Sequence, residues 1–223
     1  MTVASRLILS LAIAAVAISY LLFSPSEREI PTHTRFIKVT NDMQFLSVWQ
    51  GPWHCVYDKK LNLLWEVKRD DESIHDGYWS YSWYDGQFGH ADQGDCYFEA
   101  SHCDSQDLIR KTNQASLCGS AEWRLPTPDE LRSLIQTPNS PGQPHIASDF
   151  FPHIKNGDYW SGEAGVPLPK SFKREKLGAT AVNFQSAEAL SLPYANAAFV
   201  MLVATPSTPL SLAQSRAEPV TLN

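Results

Sequence analysis

The sequence has no excess of positive charge, no internal repeat and few cysteines. Its 18 Lys and Arg residues stand against 24 Asp and Glu residues, which gives a formal net charge of −6. A chain with this balance has no overall positive field to attract nucleic acid, so we expect no nucleic-acid partner. With 223 residues, the chain is also too short for two large domains once both ends are set aside. The sequence therefore predicts one domain.

One long apolar run stands near the N-terminus. Residues 7–23 read LILSLAIAAVAISYLLF without a charge, and these 17 residues follow Arg6. The pattern predicts an export signal at the short limit for a membrane-spanning helix. Cleavage after the AVA at 15–17 would leave apolar residues at the new N-terminus, so we favour a retained signal anchor, with a cleaved signal peptide as the alternative. By the positive-inside rule, the rest of the chain then lies in the periplasm or outside the cell, attached to the inner membrane by a single span.

The segments on either side of the predicted domain have the composition of loose chain. Residues 24–34 contain two prolines and mixed charges, which is typical of a linker. The tail at 205–223 is rich in Pro, Ser and Thr, and we expect it to be disordered. The folded domain is therefore predicted to span residues 35–204.

Four cysteines fall within this domain: Cys55, Cys96, Cys103 and Cys118. Outside the cytoplasm, an even number of cysteines predicts two disulfides. Cys96 and Cys103 are close enough in sequence for a local bridge, which leaves Cys55 to pair with Cys118. Although two histidines adjoin cysteines, no cysteine pair has C-x-x-C spacing, so we do not expect a zinc site.

Short segments rich in aromatic or β-branched residues predict strands. They are residues 35–40, 63–68, 78–84, 150–152, 159–161, 181–184 and 197–204. Between the third and the fourth of these segments, two stretches have the signals of helices. Strands, then two helices, then strands is the arrangement of an α+β domain with a mainly antiparallel sheet.

The two predicted helices differ in the strength of their start signals. The first begins at Asp104 or Ser105 and ends before Gly119, with Cys118 in its last turn. The second has an N-cap, a proline at the first helical position and an acid that closes a capping box. These three residues are Thr127, Pro128 and Glu130.

Several segments, taken in order, resemble one family. They are WHCVYDKKLNLLWEVK at 53–68, YSWYD at 81–85, the loop between Cys96 and Cys103, and LCGSAEWRLPTPDELRSLI at 117–135, followed by DFFP, YWS and AVNF. Together they resemble the Lcl C-terminal domain, named for the Legionella collagen-like adhesin, over about residues 35–204. The resemblance implies a C-type-lectin-like fold, here preceded by one N-terminal hydrophobic helix. The WRLPT block is also similar to a segment of formylglycine-generating sulfatase-modifying proteins.

The resemblance implies a recognition domain, because the type member is a surface adhesin whose domain recognises sulfated polysaccharide. One residue and one segment depart from the family. Asn62 stands where the family usually has Gly, and Asn also accepts a left-handed turn. Residues 199–204 are apolar where the family tends toward arginines, so any anion contact made by those arginines is missing. Formylglycine-generating chemistry needs reactive cysteines late in the fold, and this chain has none after Cys118.

Two groups of residues are candidates for ligand contact. Trp79, Tyr81 and Trp83 share one face of the segment 78–84, and we expect them in the core. Tyr84 lies on the other face beside a turn and is the better candidate for stacking on a sugar. The second candidate is a basic run suited to a polyanion, although a solvated loop without a ligand is the alternative. It consists of Lys170, Lys173, Arg174 and Lys176.

Other conspicuous residues are given structural roles. We expect Arg124 to be buried and to clamp loop carbonyls or Glu130 rather than a ligand, and we expect no acid and base pair from Glu66 and Glu130. Buried tryptophans are expected to build the core: Trp65, Trp83, Trp123 and Trp160. The spacing in an acidic loop matches no calcium motif, so we favour solvated side chains without a metal, with a calcium site as the alternative. These acids are Asp92, Asp95, Glu99, Asp104 and Asp107.

These features together predict a membrane-tethered, non-catalytic recognition domain without a cofactor, whose ligand is an envelope or extracellular glycan. The alternative is a structural or assembly protein of the cell envelope that binds another protein. An enzyme of the formylglycine-generating type is the third and least favoured hypothesis.

Overall fold

The computed structural model describes residues 35–97, 103–138 and 140–206. The predicted anchor at 7–23, the predicted linker at 24–34 and the tail from residue 207 onwards lie outside these ranges. Across the described ranges, every helix is too short or too polar to cross a membrane.

A five-stranded antiparallel sheet has the order β2-β1-β3-β4-β8. Its strands are β1 (Phe36–Val39), β2 (Phe45–Leu46), β3 (Cys55–Asp58), β4 (Leu63–Glu66) and β8 (Val203–Ala204). Although β8 is distant in sequence, it pairs with β4 in the register Leu64↔Ala204 and Trp65↔Val203. In the turn between β3 and β4, Asn62 has a φ of 54°, so it adopts the left-handed turn that its sequence position suggested.

A second antiparallel sheet contains three strands in the order β5-β6-β7. They are β5 (Asp158–Pro167), β6 (Leu177–Asn183) and β7 (Ala189–Leu192). Strand β5 is buried at Trp160 and Ser161 but is mostly exposed from Gly162 onwards, where the strand pairing shifts register. The end of the β5–β6 hairpin therefore extends away from the core. We call residues 168–177 the hairpin tip.

The structure contains both predicted α-helices and corrects the end of the first. Helix α1 (Ser105–Gln114) is capped by Asp104, and its chain leaves the helix at Ser116, which has a φ of 49°. Cys118 therefore lies in a separate 3₁₀ turn (Leu117–Gly119) rather than in the last turn of α1. Helix α2 (Pro128–Ser133) has the predicted capping box between Thr127 and Glu130.

Three of the predicted strands are wrong in whole or in part. Residues 78–84 pair only through isolated bridges such as Tyr81↔Ala198, because their partners lie in loops. Residues 150–152 lie in a turn, and of residues 197–204 only the last two form a strand. These segments are apolar because they are buried: Phe151 and Leu202, for example, are 1% and 0% exposed. A buried segment without regular strand pairing therefore has the same apolar composition as a buried strand.

Both predicted disulfides are confirmed. Cys55 at the start of β3 bonds to Cys118 in the 3₁₀ turn, and Cys96 bonds to Cys103. Since no cysteine is free, none can ligate zinc. The four tryptophans given structural roles are buried, with exposures of 0 to 3%. They are Trp65, Trp83, Trp123 and Trp160.

Candidate functional site

A cleft of about 650 Å³ opens between residues 83–85, α1, the start of α2 and β5. Two other clefts have volumes of about 370 and 330 Å³. Most of the lining of the 650 Å³ cleft is apolar, and its residues come from four separate segments of the chain. They are Trp83, Tyr84, Asp85, Gln106, Ile109, Arg124, Leu125, Thr127, Pro128, Gly162, Glu163 and Ala164.

Two buried tryptophans connect the segment 81–84 to strand β5, and both of these segments contribute residues to the cleft. The indole Nε1 of Trp83 donates to the carbonyl oxygen of Ser161 at 2.8 Å. In the other direction, the Nε1 of Trp160 donates to the carbonyl oxygen of Tyr81 at 2.7 Å. Buried hydrogen bonds of this kind are costly to break, because the freed groups find no water. The segment 81–84 and strand β5 therefore stay in a fixed relation.

Tyr84 is partly buried in the wall of the cleft, and its backbone is held from two sides. Its N–H donates to the Oγ of Ser105 at 2.9 Å, and the same hydroxyl donates to the carbonyl oxygen of Tyr84 at 2.7 Å. Since Ser105 is the first residue of α1, the helix positions the tyrosine directly. Just beyond, the carboxylate of Asp85 accepts the N–H groups of Gln87 and Phe88 and closes a tight turn.

Arg124 forms a bidentate ion pair with Glu130 at the edge of the cleft. Each of its terminal nitrogens donates to one carboxylate oxygen at 2.8 Å. The hydrogen bond to Glu130 raises the pKa of Arg124, and although burial favours the neutral acid, the contacts from Arg124 and Thr127 lower the pKa of Glu130. The predicted clamp on Glu130 is present, but the expected burial is wrong, because the arginine side chain is 45% exposed.

The remaining charged groups of the cleft are carboxylates. Asp85 and Glu163 are exposed, and the Oε2 of Glu163 accepts a hydrogen bond from the hydroxyl of Thr180 at 2.6 Å. Because Arg124 is committed to Glu130, the described residues that line the cleft include no unpaired positive charge. Sequence reasoning missed Gln106 and Glu163, since neither belongs to a recognisable local pattern. Only the fold brings them beside Tyr84.

The four basic residues of the candidate polyanion site all lie on the hairpin tip, outside the cleft. They are exposed, and none forms an ion pair with another described residue. The structure therefore separates the two groups of candidate ligand contacts: Tyr84 belongs to the cleft, and the cations belong to the tip. Strand β5 connects the two surfaces. The four residues are Lys170, Lys173, Arg174 and Lys176.

A buried charge network surrounds Glu66, whose side chain is fully buried. Its carboxylate accepts from the Nζ of Lys68 at 2.9 Å, the Nδ1 of His75 at 2.7 Å and the N–H of Leu202 at 2.9 Å. Burial by itself would raise the pKa of Glu66, but the charge of Lys68 and the contact with His75 hold it at about 2. Glu66 and Glu130 thus have separate hydrogen-bond partners.

Three of the loop acids lie together at the start of α1. One oxygen each from Asp92, Asp104 and Asp107 lies within 4.8 Å of the others. Asp104 caps the helix by accepting the N–H of Asp107, and burial, with the nearby carboxylates, raises its pKa. The expectation of a solvated loop is wrong for Asp104 and Asp107, which are 3% and 8% exposed. Calcium takes about six to eight oxygens, so these three carboxylates offer part of a coordination shell.

Among the described residues, the cluster consists of Asp92, Asp104 and Asp107, and Asp95 does not belong to it. The backbone of Asp95 pairs with Ser80, and Glu99 lies outside the described residues.

The sequence matches the family model of the Lcl C-terminal domain over residues 54–204, which is more than half of the 223 residues. The chain belongs to the Lcl C-terminal domain family. No curated protein matches it, and no solved structure matches it either.

The part of the chain that matches the Lcl C-terminal domain contains both disulfides, the cleft and the hairpin tip. Its first residue, His54, follows β1 and β2, yet these strands belong to the same sheet. Strand β1 pairs with β3 along its whole length, from Phe36↔Asp58 to Val39↔Cys55. The folded unit of this family member therefore starts ahead of the matched region.

Proposed function

We propose that this chain is an exported, membrane-tethered recognition domain that binds glycan in the cleft and catalyses no reaction. The observation that carries the proposal is the position of Tyr84, a partly exposed aromatic ring in the wall of a cleft of about 650 Å³. This volume is in the range of small-molecule sites, roughly 300 to 1,000 Å³. Membership of a family named for an adhesin supports a binding role outside the cell.

The lining of the cleft suits the two chemical faces of a sugar ring. One face of a pyranose presents C–H groups, which pack well against an aromatic ring such as that of Tyr84. Ile109 and Leu125 extend this apolar surface. The rim of a sugar presents hydroxyl groups, and the carboxylates of Asp85 and Glu163 are strong hydrogen-bond acceptors for them.

The charge of the cleft favours an uncharged saccharide over a sulfated one. Asp85 and Glu163 contribute two negative charges, whereas the ion pair of Arg124 with Glu130 contributes no net charge. A sulfate group placed here meets like charge in a partly desolvated site, which costs binding energy. We therefore assign neutral glycan to the cleft.

The proposed absence of catalysis is supported by the state of the cysteines. All four are in disulfides, so no thiol is free to act as a nucleophile. In addition, the fully buried Glu66 has its pKa at about 2, which suits a permanent ion pair rather than a general acid near neutral pH.

The proposed tether is residues 7–23, as a retained single span in the inner membrane. If the segment is retained, the native protein stays in the membrane fraction through a carbonate wash. The measured mass of the intact native chain then includes residues 7–23. A mature chain that starts near Ile18 would show that the segment is a cleaved signal peptide.

The test of the glycan site is binding of the full chain, in detergent micelles, to an array of neutral glycans. Tyr84→Ala should weaken binding about tenfold, because it removes the stacking ring. Tyr78→Ala is the matched control, since Tyr78 is 63% exposed on the same segment and does not line the cleft. Equal affinities of the unmodified chain and Tyr84→Ala would reject the proposed site.

A protein partner in the cell envelope is the second candidate, because apolar groups lie in and beside the cleft. Phe88, at the turn that follows Tyr84 and Asp85, is 66% exposed, and apolar side chains of this size are common anchors at protein interfaces. If the chain has this function, a pull-down with the unmodified full chain should capture an envelope protein, and the Phe88→Ser variant should not. Glycan binding in the cleft does not depend on Phe88.

A further inference from the structure

The hairpin tip combines basic side chains with exposed apolar ones. Phe172 is 36% exposed and Leu177 is 52% exposed. Phe172 lies between Lys170 and Lys173 in the sequence, and Leu177 directly follows Lys176. Exposed apolar residues are ordinary when they are scattered singly, but here they lie among four cations at the end of a projecting hairpin.

The backbone gives this tip a defined shape. The N–H of Leu168 donates to the carbonyl oxygen of Lys176 at 2.9 Å, and the N–H of Phe172 donates to that of Pro169 at 3.0 Å. At the base, the backbone of Gly178 lies so close to Leu168 and to β7 that no larger residue fits. The hairpin is therefore anchored at its base, while its end stays exposed to a partner.

The charge of the tip is opposite to that of the rest of the chain. Residues 168–177 contain four basic residues and one acid, Glu175. The remainder then has 14 basic residues (18 less 4) against 23 acidic ones (24 less 1). An anionic surface is attracted by the tip and repelled elsewhere, so the domain meets such a surface in one orientation.

We propose that the hairpin tip docks on an anionic lipid surface. A soluble anionic polymer pairs with the cations but leaves Phe172 and Leu177 in water. A bilayer interface satisfies both groups, because the headgroups carry the negative charge and the acyl boundary takes the apolar side chains. Lysine and arginine stems also extend along such an interface with their charges in water. The combination therefore fits lipid better than glycan.

This surface is separate from the glycan cleft, and the proposal does not depend on the proposed function. None of the residues that line the cleft belongs to the hairpin tip. Glycan binding is measured on the array with Tyr84→Ala, whereas lipid docking is measured with a reporter on the tip, so either proposal can fail alone.

The experiment places an environment-sensitive fluorophore on the tip of the full chain through Ser171→Cys. All four native cysteines are in disulfides, so only the new thiol is labelled. The chain is mixed with vesicles of pure phosphatidylcholine, or of phosphatidylcholine with about 30% phosphatidylserine. The N-terminal segment is the same in every sample, so a spectral shift that requires the anionic lipid comes from the tip. A label at Ser186, in the exposed turn between β6 and β7, is the matched control.

The expected result is a blue shift at position 171, but not at 186, with the anionic vesicles only. Lys173→Glu together with Arg174→Glu should weaken this docking at least about 30-fold. Phe172→Ser should weaken it about tenfold, because it removes apolar burial. Unchanged melting temperatures check that these variants fold.

Two results would overturn the proposal. The first is the absence of a blue shift at position 171 with anionic vesicles. The second is a blue shift with soluble dextran sulfate that is as large as the shift with vesicles and that Phe172→Ser does not change. This result would assign the tip to polyanionic glycan instead.

Discussion

The cleft and the hairpin tip share strand β5, yet they are built in different ways. The residues that line the cleft come from four separate segments between residues 83 and 164. The indole hydrogen bonds of Trp83 and Trp160 hold two of these segments together. The tip is a single local segment whose side chains mostly face solvent. Changes in the interior should therefore damage the cleft and spare the tip, whereas changes at the tip should leave the fold intact.

The difference also separates two modes of recognition. The cleft offers a rigid apolar wall with acceptor groups, which suits a neutral ligand at any salt concentration. The tip offers exposed cations, whose attraction weakens as salt shortens the Debye length. A single assay under two salt conditions therefore assigns an observed ligand to one surface or the other.

The largest expected effect on the interior is the loss of the long disulfide. Cys55 and Cys118 are 63 residues apart, whereas Cys96 and Cys103 are 7 apart. Because a longer loop restricts the unfolded chain more, Cys118→Ser should lower the free energy of unfolding by about 4 kcal/mol and Cys103→Ser by about 2.5 kcal/mol. Urea unfolding of the two variants measures the difference. A larger loss for Cys103→Ser would contradict this ranking.

The next effect concerns the buried carboxylate of Glu66, which accepts the N–H of Leu202. The residue after Leu202 is Val203, which pairs with Arg124 of the cleft. The pKa of Glu66 is about 2, below the ordinary value of 4.5, so it contributes about 3 kcal/mol of stability above pH 4.5. This contribution is lost as the pH falls from about 4.5 through 2. Glu66→Gln should therefore be destabilised at pH 7 and should approach the unmodified chain near pH 2. A gap in unfolding free energy that does not change with pH would refute the ionic explanation.

A smaller effect is expected at the start of α2, beside the cleft. The hydroxyl of Thr127 accepts the N–H of Glu130 at 3.2 Å, so Thr127→Ala should cost about 1 kcal/mol. Thr137→Ala, which removes an exposed threonine beyond the end of the helix, is the matched control. Thermal unfolding measures both, and equal melting temperatures would show that the cap does not stabilise the domain.

The smallest effect on stability is expected at the hairpin tip. The charges of Lys173 and Arg174 are exposed, and exposed charges contribute little to folding. Reversal of both to Glu should leave the melting temperature unchanged within error, in contrast to the interior variants. A clear loss of stability would mean that the tip packs against the domain.

Local chemistry is what made parts of this structure predictable from sequence. The capping box of α2 depends on two residues three positions apart. The disulfide pairing followed because Cys96 and Cys103 are close in sequence, which left Cys55 to pair with Cys118. The apolar segments at 150–152 and 197–204 misled the strand prediction, because burial in a loop and burial in a strand select the same residues.

The candidate site was predictable only in its conspicuous residues. Tyr84 stood out because it lies beside a turn and opposite a face of buried aromatics. Its neighbours Gln106 and Glu163 come from α1 and β5, and no local pattern indicates that these elements meet. Non-local packing of this kind is set by the tertiary fold, which the order of elements alone does not determine.

The most direct test of the account is the salt dependence of glycan binding by the full chain. If the cleft holds the ligand, the affinity for a neutral glycan stays constant from low to high salt, falls with Tyr84→Ala, and is unaffected by charge reversal at Lys173 and Arg174. If instead the affinity falls steeply with salt, is abolished by the charge reversal and is indifferent to Tyr84→Ala, then the hairpin tip binds the glycan and the assignment to the cleft is wrong.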